Sequence, residues 1–442
     1  MTPVLDEQPA WPPRRTAWFV AIVLMLANTM AFVDRQALAL LVEPIKHDLG
    51  ASDTAMSLLY GLSFTLFYVG VGIPVARLAD RSNRRNIIAA SIFVWSLATA
   101  ACGMARSFGA LFIARIGVGA GEAGFSPSAY SLLADYFPRD RLASAIGVYQ
   151  MGVYLGGALA LVIGGLVASA LPPESLITLP LIGAIKGWHV VFLALGVPGL
   201  LLSLLVLAIR EPRRRGVVAD AGSVPLALLF AHVLSRKAAY LGIGLGFALM
   251  ILVGNGTGAW IPAFFARKFG WSIAEIGARY GVVVFFCGTT GALVGGFCAS
   301  WLHRLGFPRG NLAVAMIGFI ALIPLTIGFP LVASPYLALG LIGAMNFFAG
   351  FNLGCGLATL QDLTPNRMRA LVSAGYMLLV NLIGGVLGPM VVALITDYGF
   401  ADPQRLPDAL AITCALFSPL ALVFLIIGMK GLKTAQMLDG AT

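Results

Sequence analysis

Residues 16–42 read TAWFVAIVLMLANTMAFVDRQALALLV, and this stretch decides the class of the fold. Apart from the adjacent Asp34 and Arg35, it contains no ionisable side chain. A helix that crosses the hydrocarbon core of a bilayer needs about 20 mainly apolar residues. The run is continuously apolar, whereas a strand of a transmembrane barrel alternates apolar and polar residues. We therefore predict a membrane-spanning helix that carries two adjacent charges inside the membrane.

The rest of the chain repeats this pattern. Of 442 residues, 59% are hydrophobic and 11% are charged, and the mean hydropathy is +0.91. A soluble domain carries roughly 25% charged residues, so lipid must solvate much of this surface. We predict an all-α membrane protein with twelve spans, near 16–42, 54–77, 86–105, 108–134, 142–170, 189–210, 238–266, 273–301, 310–330, 334–361, 371–396 and 406–429.

The longest polar break, 211–237, divides the chain into a six-helix bundle at 1–210, a cytoplasmic linker, and a second six-helix bundle at 238–442. An internal repeat supports this division. The fourth span ends DYFP at 135–138 and the tenth ends DLTP at 362–365, and a Gly-Gly pair follows in each next span. Such matched halves enclose a binding site near the middle of the membrane. A second long connection, 171–188, is predicted to face outward with a short interfacial helix.

The formal charge of +10 is distributed by topology. Basic residues crowd the connections on one side, and few occupy the other side, where we place Lys46, Arg106, Lys186, Arg267, Lys268, Arg279 and Arg405. Cytoplasmic loops carry the excess of Lys and Arg, so both termini are predicted to be cytoplasmic in a bacterial inner membrane. The basic charge therefore does not indicate nucleic-acid binding.

Other classes of function lack their signatures. The five cysteines lie in apolar runs without a CxxC motif or a Cys/His cluster, so neither a metal site nor disulfides are indicated. No GxxxxGK[ST] motif is present, and no nucleophile has a plausible histidine partner. We therefore expect no enzyme activity and no cofactor, and any pumping must use a gradient.

Away from their ends, the predicted spans of the first half contain four charged residues: Asp34, Arg35, Arg115 and Glu122. A charge at mid-bilayer costs at least ~2.5–3.5 kcal/mol and faces protein interior or water, so this half needs a polar cavity. Arg115 and Glu122 lie about two helical turns apart on one face of their helix. We predict that Asp34 faces Arg115, that Arg35 turns to the cavity, and that the carboxylates respond to protons. The alternative is a static buried ion pair that only fixes helix packing.

The second half offers polar and aromatic candidates instead of charges. Its interior polar candidates are Asn255, Thr257, Asn346, Asn352, Gln361 and Asn381. It is also rich in phenylalanine, and a phenylalanine wall facing Arg35 would hold an acyl chain while the arginine holds an anionic head. The predicted substrate-binding residues are Arg35, Asn28, Tyr60, Tyr68, Tyr130, Tyr149, Asn255, Trp260, Phe264 and Phe347. The alternative is that the rings face lipid or pack between helices.

Two motifs resemble those of the major facilitator superfamily. RLADRSNRR at 77–85 resembles the loop motif between its second and third helices, although Ala76 and Asn83 replace two usual glycines. Arg115-x-x-x-Gly119-x-Gly121 resembles its fourth-helix motif, which is associated with proton coupling. The resemblance implies the major facilitator fold of two pseudo-symmetric bundles. It also implies a cytoplasmic latch, for which the candidates are Asp80, Arg81, Arg84, Arg85, Asp135, Arg141 and Asp362.

A narrower resemblance is to the Spinster subfamily. It is carried by Asn28 with DRQ at 34–36, and by RIGVGAGEA at 115–123 followed by Ser126 and Pro127. Anion symporters of the superfamily also carry Asp-Arg in the first helix, but the Gly-Glu-Ala run favours Spinster. This resemblance implies an amphipathic lipid substrate of the sphingolipid or lysophospholipid type.

We therefore predict a monomeric carrier that moves an amphipathic, lipid-like substrate by alternating access and is coupled to or gated by protons. One alternative is a carrier of small organic anions or drug-like amphiphiles. An alternative of another class is a membrane receptor or scaffold that binds its ligand without moving it.

Overall fold

A computed structural model describes residues 11–172, 175–179, 183–212, 214, 226–305, 310–352, 355–365 and 368–439. Within these residues, the first bundle contains nine α-helices: α1 Arg14–Leu40, α2 Val42–Leu49, α3 Asp53–Tyr60, α4 Leu62–Arg81, α5 Arg84–Cys102, α6 Phe108–Glu122, α7 Phe125–Tyr136, α8 Arg139–Ala170 and α9 Gly187–Leu207. Helix α10, Leu226–Ser235, lies inside the predicted linker.

The second bundle begins with α11 and ends with α18. Its α-helices are α11 Lys237–Phe269, α12 Ile273–Arg304, α13 Gly310–Gly328, α14 Pro335–Gly350, α15 Cys355–Leu363, α16 Arg369–Val380, α17 Gly388–Leu394 and α18 Leu406–Asp439. Two π-helical segments, Asn381–Leu387 and Ile395–Phe400, flank α17, and a 3-10 turn spans Pro403–Arg405. A single span therefore runs from α16 through α17 to Phe400.

The predicted all-α membrane fold is confirmed. Among the described residues, eleven helices are long and apolar enough to cross a membrane. The ninth predicted span corresponds to the shorter apolar helix Leu312–Gly328. Each span buries part of its surface inside the protein and leaves large apolar side chains exposed, which suits contact with lipid.

Two spans are interrupted near their middle. The fourth breaks between α6 and α7, around Ala123 and Gly124, and Pro127 lies in the first turn of α7. The tenth breaks between α14, which ends at Gly350, and α15, which begins at Cys355. The offset along the sequence that aligns Asp135 with Asp362 also aligns the two breaks, as expected if the two halves are repeats of one unit.

The Gly-Gly pairs of the repeat make equivalent contacts in both halves. A Cβ on Gly156 would lie 2.5 Å from the carbonyl oxygen of Thr29 in α1, and one on Gly384 would lie 2.5 Å from Ile251 in α11. The first glycine of each pair thus lets a helix approach the first helix of its own bundle. The second faces the other bundle: Gly157 faces Val284 and Gly385 faces Thr65.

The predicted interfacial helix in the 171–188 connection is wrong. Residues Leu176–Leu179 and Gly183–Lys186 form strands β1 and β2 of an antiparallel hairpin, with Leu176 opposite Lys186. Lys186 forms an ion pair with Asp48 at 2.5 Å, and the indole of Trp188 donates to the same carboxylate at 2.9 Å. The β-branched residues and the glycine with positive φ, Gly183, suit a hairpin better than a helix.

Candidate functional site

The strongest contact between buried charges joins α1 to α6. The Nε atom of Arg35 donates to Oε2 of Glu122 at 3.0 Å, and its Nη2 atom donates to the same oxygen. The Glu122 side chain is almost fully buried, whereas 30% of the Arg35 side chain is exposed to the cavity. The guanidinium also lies over the ring of Phe64, 4.4 Å from its centroid. Arg35 therefore links the carboxylate to the cavity surface.

Glycines of α6 bring these charges into position. A Cβ on Gly119 would lie 2.5 Å from the carbonyl oxygen of Phe64, and one on Gly121 would lie 2.6 Å from the nitrogen of Trp95. The backbone of α6 thus touches α4 on one face and α5 on another. This close packing places Glu122, at the end of α6, beside the Arg35 side chain.

Asp34 points away from this pair. It is 2% exposed, and its Oδ2 atom accepts a hydrogen bond from Oγ1 of Thr99 in α5 at 3.0 Å. The predicted contact of Asp34 with Arg115 is thereby corrected, because no ion pair joins them among the described residues. Adjacent residues on a helix point about 100° apart, so only one of Asp34 and Arg35 can face α6. The longer arginine does so, and the short carboxylate faces α5.

Arg115 is a buried cation at the wall of the cavity. It is 2% exposed, and its Nε and Nη1 atoms have no hydrogen-bond partner among the described residues. One oxygen each of Asp34 and Glu122 is likewise buried without a partner there. A buried charge without a partner is costly, which makes such a group a candidate for ligand contact.

A cavity of about 390 Å³ lies between the two bundles. The first bundle contributes Arg35, Arg115 and Tyr60 of the predicted residues, and the second contributes Asn255. The lining also includes Phe32, Gln36, Phe64, Thr65, Tyr154, Tyr280, Val284, Asn346 and Asn381. Asn346 and Asn381 had been flagged by the rule that polar residues inside spans face the interior. Gln36 belongs to the DRQ motif at 34–36 but was not predicted to bind substrate, and Tyr154 and Tyr280 carried no sequence signal that separates them from other interfacial side chains.

Four predicted residues lie behind the cavity wall of the first bundle. Asn28 is buried and donates from Nδ2 to the carbonyl oxygen of Tyr149 at 3.0 Å. The Tyr149 ring is buried, donates to Ser126 at 3.2 Å, and packs edge-on against Tyr130. Tyr68 stacks on Phe64 and lies beneath the Arg35 guanidinium. Tyr68 therefore contacts Arg35 directly, whereas Asn28 and Tyr130 contact Tyr149, and Tyr130 is exposed.

The predicted aromatic wall of the second bundle does not line the cavity. Trp260 is buried and donates from Nε1 to the carbonyl oxygen of Pro389 at 3.1 Å. Phe264 is fully buried against the rings of Phe265 and Phe329. The backbone of Phe347 packs on Gly291 of α12. These positions follow the alternative that the rings pack between helices.

A second cluster of charges holds the bundles together at one end. Arg267 of α11 donates to Oε1 of Glu43 at 2.6 Å and to both oxygens of Asp53 at 2.7 Å. Asp53 has no exposed side-chain surface and also pairs with Lys46. We call Glu43, Lys46, Asp53 and Arg267 the outer cluster.

Further contacts continue the closure at this end. Both the backbone nitrogen and the hydroxyl of Thr54 bond to Oδ2 of Asp397, at 2.6 and 2.7 Å. A Cβ on Gly61 would lie 2.9 Å from the carbonyl oxygen of Gly385. Sequence reasoning missed Asp53, because an acid beside a loop serine has the pattern of a helix start; Ser52 indeed caps α3.

The predicted latch residues form a different cluster at the opposite end. Arg84 is buried and donates from Nη1 to Asp135 at 2.5 Å and from Nε to Glu211 at 2.7 Å. The backbone nitrogen of Arg85 donates to the second oxygen of Glu211 at 3.0 Å. This cluster lies within the first bundle, and Glu211 was not predicted. Arg141 and Asp362 are exposed, and the side chains of Asp80 and Arg81 lie outside the described residues.

Comparison with known proteins supplies the context for this geometry. The family model of the Major Facilitator Superfamily matches residues 24–389. The chain is 31% identical over 386 residues to an MFS-type efflux pump of Mycolicibacterium smegmatis, covering 87% of this chain and 85% of the pump. It is 24% identical over 413 residues to a hexuronate transporter of Bacillus subtilis, covering 90% of this chain and 92% of that one.

A solved structure resembles the whole molecule. It is a bacterial homologue of the human lysosomal transporter Spinster in an inward-facing, unoccupied conformation. The two chains are 29% identical, with a TM-score of 0.74, and the match covers 96% of this chain and 98% of that one.

Proposed function

This chain belongs to the Major Facilitator Superfamily, and from that membership we propose that it is a proton-coupled carrier of an amphipathic anion. It is a secondary transporter and a multi-pass membrane protein, not an enzyme. The similarity to a Spinster homologue supports a lipid-like substrate, and the similarity to an efflux pump supports amphiphiles more widely.

The observation that carries the proposal is the buried guanidinium of Arg115. A guanidinium is a permanent cation in proteins, and this one lies at the wall of a cavity with two nitrogens that have no partner among the described residues. Guanidinium groups bind carboxylates and phosphates through paired hydrogen bonds. An anionic headgroup therefore completes the site, and Phe32, Phe64 and Val284 offer apolar surface to the rest of the molecule.

Charge balance links this anion to a proton. Asp34, Arg35, Arg115 and Glu122 together carry no net charge when all are ionised. A bound anion leaves the site with one negative charge, which is unfavourable in a medium of low polarity. Protonation of Glu122 cancels that charge and releases Arg35 to face the anion as well. Anion and proton thus bind together, and the affinity for the anion rises as the pH falls.

Alternating access needs two arrangements of the bundles. The outer cluster and the Thr54–Asp397 bonds close one end here. The distribution of basic residues supports an extracellular position for that end, and on this basis we assign the conformation as inward-facing. Opening outward then requires separation of Arg267 from Asp53 and Glu43.

A second candidate is a small, strongly polar organic anion. It is favoured by the amide side chains of Asn255, Asn346 and Asn381 around the cavity and by the similarity to a hexuronate transporter. Both candidates use Arg115 in the same way, and they differ in whether the apolar wall contributes to affinity.

The deciding experiment measures binding to purified protein by calorimetry over a range of pH. The ligands are a lysophospholipid, a sphingoid phosphate, a medium-chain carboxylate and a hexuronate, and the variants are Arg115→Gln and Arg267→Gln. Loss of two charge-assisted hydrogen bonds at roughly 1.5–3 kcal/mol each predicts at least about a hundredfold weaker affinity for Arg115→Gln. Equal affinity of the Arg115→Gln and wild-type proteins for every ligand would overturn the proposal.

A further inference from the structure

A side pocket of about 210 Å³ extends from the central cavity into the second bundle. The two spaces share a wall formed by Gly254, Asn255, Gly258, Tyr280 and Asn346. The remaining lining residues belong to the side pocket alone: Met250, Ile251, Val253, Ile261, Leu322, Thr326, Met345, Ala349 and Asn352. The shared wall is therefore the entrance, and the other residues lie deeper in the bundle.

The deeper part of this pocket is mostly apolar. Met250, Val253, Leu322 and Met345 are buried, and Ile251 is half-buried. The Thr326 hydroxyl is occupied, because it bonds to the carbonyl oxygen of Leu322 at 2.8 Å. These walls suit an uncharged aliphatic or aromatic group.

Asn352 is the exception among the deeper residues. Its Oδ1 and Nδ2 atoms are buried and have no hydrogen-bond partner among the described residues. A Cβ on Gly318 would lie 2.8 Å from Oδ1 and 3.0 Å from Nδ2, so α13 closes tightly around the amide. An unsatisfied buried amide is destabilising, and such a group in a native protein calls for an explanation.

The position of Asn352 in the fold supplies an explanation for its unpaired amide. It lies in the break of the tenth span, between α14 and α15, which corresponds to the break beside Glu122 in the fourth span. Interrupted helices at equivalent positions of two repeats are where transporters of this architecture form their binding sites. Glu122 and Asn352 thus lie beside equivalent breaks of the two bundles.

We propose that the side pocket binds the apolar segment of the substrate, and that Asn352 holds a hydroxyl or amide at the far end of that segment. A hydroxyl donates to Oδ1 and accepts from Nδ2, which satisfies both orphaned atoms. The substrate is therefore an anion whose apolar segment carries a polar group at its far end. This inference rests on the proposed function for the anionic head.

The test compares ligands with and without a terminal hydroxyl. Thermal stabilisation of purified protein is measured with straight-chain carboxylates from hexanoate to hexadecanoate and with their ω-hydroxy derivatives. A net hydrogen-bond contribution of about 0.5–1.5 kcal/mol predicts roughly two- to tenfold tighter binding for the hydroxylated ligand of matching length. Asn352→Leu removes this preference. Asn381→Leu, a matched change in the central cavity only, retains it.

Two further experiments show whether a negative result contradicts the side-pocket proposal or the proposed anion site. Octanediol and octanol carry no charge, and the preference for the diol must also disappear in Asn352→Leu. Ala349→Phe fills the pocket and shifts the best ligand to a shorter chain, which keeps the test valid if Asn352→Leu does not fold. If carboxylates do not bind but the diol preference follows Asn352, only the anion site fails. An equal response of wild type and Asn352→Leu to all pairs would overturn the pocket assignment.

Discussion

The Arg35 guanidinium places two donors on a single oxygen of Glu122 and leaves the other carboxylate oxygen of Glu122 without a partner among the described residues. The pair joins α1 to α6, and only the arginine reaches the cavity surface. In the proposed coupling, this carboxylate exchanges its ionic contact for a proton without leaving its place. The arginine is then the group that reports the change to a ligand.

Neutralising Glu122 should therefore separate exchange from coupling. In Glu122→Gln the amide oxygen still accepts from Arg35, so we expect a folded protein that exchanges substrate across proteoliposomes. Uptake driven by a pH gradient should fall to the level without a gradient, because no proton accompanies the anion. Exchange and gradient-driven uptake are measured in parallel, and normal acceleration by the gradient would contradict the assignment of Glu122.

Asp34→Asn is the informative comparison. Thr99 can still donate to the side-chain oxygen at position 34, and within the described part of the chain no ion pair joins Asp34 to Arg35 or Arg115. We expect a reduced but measurable response to the pH gradient. Complete loss in Asp34→Asn with retention in Glu122→Gln would reverse the two roles.

Asp53→Asn should open the outer side of the protein. Breaking a buried ion pair by removing one partner costs about 3–5 kcal/mol, and here the cost falls on the closed arrangement. The measurement uses the Asn381→Cys variant in a protein whose five native cysteines are replaced. A maleimide is added from outside, and its rate of reaction with this cysteine is measured. Labelling should become at least about tenfold faster than with Asp53 intact. An unchanged rate would mean that the outer cluster does not determine access.

Substitution of glycine by alanine should have opposite consequences at two positions, Gly156 and Gly61. In Gly156→Ala the added methyl meets Thr29 of its own bundle, so we expect a lower melting temperature from overpacking that costs about 1–3 kcal/mol. In Gly61→Ala the methyl meets Gly385 and Val386 of the other bundle, so the melting temperature should change less and outside labelling should increase. The reverse pattern would show that the seam between bundles carries the stability.

Asp48 predicts a pH dependence of stability at the outer end. Partial burial raises the pKa of this carboxyl, but the hydrogen bonds from Lys186 and Trp188 outweigh burial and hold the pKa below its usual value. The pKa is lower in the folded state, so the stabilisation is present above the unfolded pKa and is lost as the pH falls through the folded one. Asp48→Asn should melt earlier at neutral pH, and the gap to wild type should close in acid. Asp362→Asn controls for loss of one exposed charge, and a gap that stays constant into acid would refute the prediction.

Much of the site followed from one physical rule. Charges are expensive in a membrane, so Asp34, Arg35, Arg115 and Glu122 were found by their position inside apolar runs. The rule also flagged Asn346 and Asn381, which line the cavity. The rule cannot locate phenylalanine side chains, because an aromatic ring is equally stable against lipid, between helices or in a pocket. Phe264, for example, lies between helices.

The sequence alone determined the membrane spans, the two related halves and the set of buried charges, because each depends on transfer from water to lipid and is local along the chain. Only the tertiary structure decided which charges meet. Arg35 pairs with Glu122 and Asp34 turns to Thr99, since the rotation of α1 and the glycine contacts of α6 select one neighbour for each side chain. The outer cluster needed the tertiary structure for the same reason: Asp53 and Arg267 are far apart in the chain and meet only when the bundles close.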